Sequence, residues 1–97
     1  MVQTIRTVTI PAGGKLIMLE EPHSLHRIFF SLLVITAATS WYDVRMSFDD
    51  PSFFNFYSLT GAVKYFEAAG VDIFQGNVWA GNYSDKLLYL SATEILH

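Results

Sequence analysis

Short runs of β-forming residues, each closed by a turn cluster, recur along the whole chain. The runs are rich in valine, isoleucine, threonine and aromatic residues, and glycine, proline, asparagine, aspartate or serine follows them. About eight such runs occur, and no internal repeat or low-complexity linker separates them. The pattern predicts an all-β fold in which residues 1–97 form a single β-sandwich domain of about eight antiparallel strands, jelly-roll-like and two-sheeted. A closed barrel is the alternative.

The alternation of apolar and polar residues sets the expected strand boundaries and faces. In the run that ends at Phe48, Tyr42, Val44 and Met46 share its apolar face. The predicted strands are Thr4 to Ile10, Lys15 to Glu20, His26 to Ile35, Trp41 to Phe48, Phe53 to Leu59, Ala62 to Glu67, Asp72 to Ala80 and Lys86 to Leu96.

Two of these segments carry more specific expectations. The run His26 to Ile35 is apolar on both faces, which predicts a central strand with Phe30 and Leu33 buried. The dipeptide Thr60-Gly61 separates two runs and predicts a tight hairpin turn between them. The segment Ala62 to Gly70 could instead form a short helix, because it contains several alanines and ends in glycine. We favour the strand.

The apolar content exceeds what a domain of this size can hide. The chain has 97 residues, of which 52% are hydrophobic and 15% are charged, whereas soluble domains average about 25% charged residues. A domain of this length buries roughly 65% of the surface that its unfolded chain exposes. Because large exposed apolar patches usually mark interfaces, we expect the chain to form a homo-oligomer.

Composition also argues against several classes of partner. The net charge is −3 and the six basic residues are scattered, which argues against nucleic acid. Cysteine is absent, which excludes disulfides and thiolate metal sites. The apolar run Ile28 to Ile35 is too short for a membrane-spanning helix, so no membrane partner is expected. The first residues show no signal-peptide pattern.

Candidate metal ligands are few and poorly spaced. His23 and His26 lie beside two glutamates, but a spacing of three residues in a strand points the two rings to opposite faces. Asp49, Asp50 and Asn55 lack the spacing of a calcium loop. We therefore assign no metal and no cofactor.

Catalytic residues are not assigned either. No nucleophile elbow or comparable Ser-His-Asp pattern occurs, and His97 is the final residue. Asp43 and Glu67 could act as a glycosidase-type pair only in the sense that any two acids could. We therefore expect that the protein is not an enzyme.

Aromatic residues are concentrated in the second half of the chain and suggest two uses. Rings on both faces of one strand need a partner subunit as well as a core, and this reasoning gives a candidate interface of Trp41, Phe53, Phe54, Phe56, Tyr57, Tyr65, Phe66 and Trp79. The alternative is a carbohydrate-binding β-sandwich module whose exposed rings stack on sugars. Its candidate residues are Trp41, Trp79 and Tyr83.

Nearly the whole chain takes part in a resemblance to a known family. The stretches involved are IPAGGKLIML, HRIFFSLLVITAATSWYDVRMSFD, FFNFYSLTGAVKYFEAAGVDIFQGNVWAGN and LLYLSATEIL. They resemble small β-sandwich virion proteins of tailed bacteriophages, which decorate capsids or form spikes and tail parts. The shared features are an opening strand ended by Pro-Ala-Gly-Gly, a series of aromatic-rich strands and a closing strand.

This resemblance implies a structural role without enzymatic activity. The family members are trimers that sit on a capsid lattice, so the chain is expected to be a homotrimeric capsid decoration, cement or spike protein. Its expected partners are copies of itself and a phage capsid or tail protein. Its expected location is the virion, after synthesis in the host cytoplasm. The long N-terminal arm of many members is not visible, so no anchoring arm is assigned.

Overall fold

The described part of the chain consists of β-strands and their connections. A computed structural model describes residues 2–21, 24–36, 42–48, 57–60, 65–69 and 76–97, and at residues 57–60 and 69 it describes the backbone alone. The strands are β1 (Val2–Ile10), β2 (Lys15–Leu19), β3 (Arg27–Val34), β4 (Asp43–Phe48), β5 (Tyr57–Thr60), β6 (Tyr65–Ala69), β7 (Val78–Asn82) and β8 (Leu88–Leu96). Within these residues no helix is long and apolar enough to cross a membrane.

The eight strands form two four-stranded antiparallel sheets. The front sheet has the order β1-β8-β3-β6, and the back sheet has the order β2-β7-β4-β5. Except from β4 to β5, the chain changes sheet between consecutive strands, which is the connectivity of a jelly roll. The predicted two-sheet sandwich of about eight strands is confirmed.

The core lies between the sheets and follows the alternation of each strand. Tyr42, Val44 and Met46 point inward from the back sheet, as predicted, and Phe30 and Leu32 point inward from the front sheet. The buried apolar side chains are Ile10, Met18, Leu19, Phe30, Leu32, Val34, Tyr42, Val44, Met46, Val78, Ala80, Leu88, Leu90, Ala92 and Leu96. Leu33 points outward and is 40% exposed, so the prediction that it is buried is wrong.

A buried arginine, which pairs with a glutamate of its own sheet, joins the two sheets at one end of the core. Arg27, at the start of β3, is 0% exposed, and its Nε donates to Oε2 of Glu94 on β8 at 2.5 Å. The other two guanidinium nitrogens donate to the carbonyl oxygens of Gly76, at 2.6 Å, and of Glu20, at 2.8 Å. Those carbonyls flank β7 and β2 of the back sheet, so one side chain connects four strands.

Two predicted local features differ in the structure. The runs on either side of Thr60-Gly61 do not form a hairpin, because β5 pairs with β4 of the back sheet and β6 pairs with β3 of the front sheet. Residues 61–64, including the turn itself, lie outside the described part. The segment Tyr65–Ala69 is a strand, which confirms the preference over a helix.

Strand β7 also runs two residues beyond Ala80, where the predicted strand ended. Gly81 pairs with β2 on one side and β4 on the other, which keeps the backbone extended. The buried amide of Asn82 donates to the carbonyl oxygens of Ile10, at 2.9 Å, and Lys86, at 2.7 Å. Asn82 therefore closes the loop after β7 from within the sandwich.

Candidate interaction surface

The outward side of the front sheet is a flat surface of four rows, which we call the front face. Its rows follow from the strand register, since residues that are hydrogen-bonded neighbours and share a face stand side by side. From one end of the sheet to the other, the rows are Thr9, Tyr89 and Ile35; Thr7, Ser91, Leu33 and Tyr65; Ile5, Thr93, Ser31 and Glu67; and Gln3, Ile95 and Phe29.

The front face exposes large apolar side chains on all four strands. Ile5, Leu33, Ile35, Tyr65 and Tyr89 are each between 40% and 62% exposed. The residues between them are mainly serines and threonines, which carry no charge. A sheet whose inner face forms the core usually shows polar or charged residues on its outer face. The front face departs from that pattern.

Among the described residues of the front face, Glu67 is the single charged group. The hydroxyl of Tyr65 donates a hydrogen bond to the carboxylate of Glu67 at 2.5 Å. That hydrogen bond is the main reason that the pKa of Tyr65 lies above its ordinary value, with desolvation adding to it. Both residues belong to β6, an edge strand, so the charge lies at the border of the front face.

The outward side of the back sheet, the back face, has a different chemistry. Lys15, Asp43 and Arg45 lie on it, and Arg45 forms an ion pair with Asp43 at 2.9 Å. The hydrogen bond to Asp43 raises the pKa of Arg45. The Arg45 guanidinium also lies over the Tyr83 ring, 4.3 Å from its centre. The charges of the back face thus interact with neighbouring groups of the same face.

The structure separates the aromatic residues that the sequence grouped as a candidate interface. Tyr65 lies on the front face and Trp79 on the back face, where it neighbours Ile17 and Ser47. Phe66 points inward and packs on Phe30 with ring centres 6.1 Å apart, which corrects its assignment to an interface because the ring belongs to the core. Of the remaining candidates, Trp41, Phe53, Phe54 and Phe56 lie outside the described residues, and Tyr57 is described in its backbone alone.

The candidate sugar platform lies on the charged side of the molecule. Trp79 is half-buried there and Tyr83 is 40% exposed. Arg45 lies over the Tyr83 ring, and the Lys15 ammonium is 5.5 Å from the ring centre. These cations occupy space at the Tyr83 ring that a stacked sugar would otherwise use. Trp41, the third candidate, is outside the described residues.

A polar cleft of about 350 Å³ opens between β1 and the end of β2. Arg6 lies at this cleft and donates to the carbonyl oxygen of Ile17 at 2.8 Å, which connects the edges of the two sheets. Glu20, Glu21 and Glu94 are among its lining residues. Within the described part of the chain, no group of three or more histidine or acidic side chains is placed to hold a metal ion.

The histidine pair considered as metal ligands is only partly described. His26 packs edge-to-face against the ring of His97, with ring centres 5.9 Å apart, and their backbones are hydrogen-bonded to each other. His23 lies outside the described residues. The contacts of His26 therefore hold His97 beside the start of β3.

Comparison with known proteins identifies the fold. No family model matches the chain, and no curated protein matches it in sequence. A chain from the acidic stable capsid structure of Helicobacter pylori bacteriophage KHP30 is similar, with a TM-score of 0.65 and 17% identity over 100% of this chain and 92% of that one. The cupin domain of Cnp3 from Schizosaccharomyces pombe is similar with a TM-score of 0.50 and 15% identity, and this chain spans 53% of it. At these identities the likeness establishes the fold, a jelly-roll sandwich.

Proposed function

We propose that the chain is a structural virion protein of a bacteriophage that acts through protein–protein contacts. More specifically, we propose that it is a homotrimeric capsid decoration, cement or spike protein. The observation that carries the proposal is the structural similarity to a chain of a phage capsid structure, over 100% of this chain and 92% of that one. A shared jelly roll does not assign a function by itself, so the surface chemistry must also agree.

The front face agrees with a protein that is assembled with others. Five large apolar side chains on one sheet face, accompanied among the described residues by a single carboxylate, make a surface that water solvates poorly. Exposed apolar patches of this kind mark protein contacts more often than catalytic sites. The high hydrophobic content, 52% against 15% charged residues, supports the same interpretation.

The similarity to a cupin domain raises the question of a ligand site between the sheets. The centre of the described sandwich is filled by apolar side chains such as Phe30, Leu32 and Met46, each of them 0% exposed. The polar cleft lies at the β1/β2 border, and its buried carboxylate, Glu94, already binds Arg27. These observations favour a protein that assembles over one that processes a small molecule.

Fractionation of an infected culture tests the proposal. Phage particles are separated from free protein on a density gradient, and an antibody against the chain is used to locate it. The proposal predicts that the chain sediments with intact particles and stays with them after washing in high salt. A chain found entirely in the free-protein fractions would contradict the proposal.

The carbohydrate-binding alternative has its own test. A glycan array probed with the wild-type chain and with Trp79→Ala would show whether the back face recognises sugars. The virion proposal does not require binding. Binding that disappears in the variant, together with an unchanged unfolding temperature, would favour the sugar-binding module.

A further inference from the structure

We infer that the front face is the surface through which copies of this chain bind one another. The inference rests on the proposed function, which includes a homo-oligomer, and it identifies the surface that holds the oligomer together. Its starting point is the placement of Ile5, Leu33, Ile35, Tyr65 and Tyr89 on one side of one sheet.

The charge distribution indicates which kind of partner surface can cover the front face. A partner surface with several charges would lose hydration there without gaining an opposite charge, because the described front face offers only Glu67. The back face, with Lys15, Asp43 and Arg45, is such a surface and fits poorly. The front face of a second copy has the matching composition of aliphatic, aromatic and hydroxyl side chains. A second copy is therefore the occupant that the chemistry favours.

The size of the front face is sufficient for a specific contact. Four strands spaced about 4.8 Å apart and four rows spaced about 6.8 Å apart give a flat area of roughly 500 Å². Two such faces together bury about 1,000 Å² before side-chain relief is counted, which reaches the level expected of a biological interface. The flat area alone thus lies at the lower limit for a biological interface, and side-chain relief adds to it.

The position of Glu67 is compatible with such a contact. It belongs to edge strand β6 and accepts the hydroxyl hydrogen bond of Tyr65, so its charge lies at the rim and already has a donor. Leu33 and Ser91 stand in the middle of the sheet, on the central strands β3 and β8. An apolar centre with a polar rim is the usual anatomy of a protein interface.

Two lysine substitutions make a matched test. Leu33→Lys places a cation at the centre of the front face, and Val2→Lys places one at an apolar residue, 49% exposed, that lies on the opposite side of β1 from Ile5. Sedimentation equilibrium of purified protein measures association for each variant. We expect Leu33→Lys to weaken association at least about tenfold, because like charges face each other, while Val2→Lys associates as the wild type does. Both residues are exposed in the single chain, so both variants should match the wild-type unfolding temperature when all three proteins are compared at a concentration at which they are monomeric.

A second readout uses the absence of cysteine in the chain. In Leu33→Cys the rate of thiol alkylation should fall as protein concentration rises and the front face becomes covered. In Val2→Cys the rate should not depend on concentration.

Each other outcome has a definite meaning. If the wild type associates and Leu33→Lys associates equally well, the copies meet elsewhere; the inference fails and the proposed function stands. Equal loss in both lysine variants also overturns the inference. A wild type that is monomeric up to about 100 µM overturns it as well. In that case particle fractionation still decides whether the chain is a virion protein.

Discussion

Replacing Arg27 by methionine should destabilise the fold more than any other single loss of charge in the described residues. Methionine is similar in length but cannot donate hydrogen bonds. The change leaves the Glu94 carboxylate, 5% exposed, without its cation, and it removes the donors to the carbonyl groups of Gly76 and Glu20. Removing one partner of a buried ion pair costs about 3–5 kcal/mol.

That cost is a large part of the total free energy of unfolding. A domain of this length has a free energy of unfolding of about 5–15 kcal/mol. Each kcal/mol lowers the unfolding temperature of a small domain by about 4–8 °C, so Arg27→Met should lower it by about 12 °C or more. Urea unfolding followed by tryptophan fluorescence and thermal unfolding followed by circular dichroism would measure the two quantities independently.

A matched control is available on the back face. Arg45 also pairs with a carboxylate, but the side chains of Arg45 and Asp43 are 33% and 29% exposed. Arg45→Met should therefore cost less than about 1 kcal/mol. Adding Glu94→Leu to Arg27→Met should recover part of the loss, because no unpaired charge then remains buried. If Arg27→Met costs no more than Arg45→Met, the buried Arg27 guanidinium does not hold the sheets together and the reasoning is refuted.

Three further predictions concern the core, a buried amide and pH. Phe30→Ala should cost about 3–5 kcal/mol because the ring is fully buried, whereas Leu33→Ala in the same strand should cost less than about 1 kcal/mol; equal costs in chemical unfolding would contradict the assigned faces. Asn82→Ala should cost about 2 kcal/mol or more, because two carbonyl groups lose their donor, and a wild-type melting curve would show that the amide is dispensable. Burial raises the pKa of Tyr42 above its ordinary value, so the unfolded chain loses this proton first. The free energy of unfolding should then fall as the pH rises from about 10 through the raised pKa, and Tyr42→Phe should reduce this dependence.

The alternation of side chains was sufficient to predict the fold class. Residues 42, 44 and 46 alternate with polar neighbours, and a strand with that pattern can bury only one face. Strand pairing was harder to predict, since local turn residues do not reveal when the chain crosses to the other sheet. The hairpin expected at Thr60-Gly61 does not form for that reason: β5 pairs with β4 of the back sheet, whereas β6 pairs with β3 of the front sheet.

The buried ion pair and the front face could not be predicted from the sequence, for related reasons. Arg27 stands at the start of an apolar run, and its partner Glu94 is 67 residues away, so no local pattern predicts the ion pair. In β3 both faces are apolar, and the sequence does not show which face points inward. The exposure of Leu33 and Ile35 became clear only from the register with β8, and with it the front face.

Cryo-electron microscopy of purified phage particles is the measurement that tests the central claim most directly. The account predicts a two-sheet jelly roll of this chain at symmetry-related positions on the particle, with Leu33 and Tyr89 buried against another copy. A particle reconstructed to side-chain detail that contains no density for this chain would contradict the claim that it is a virion protein.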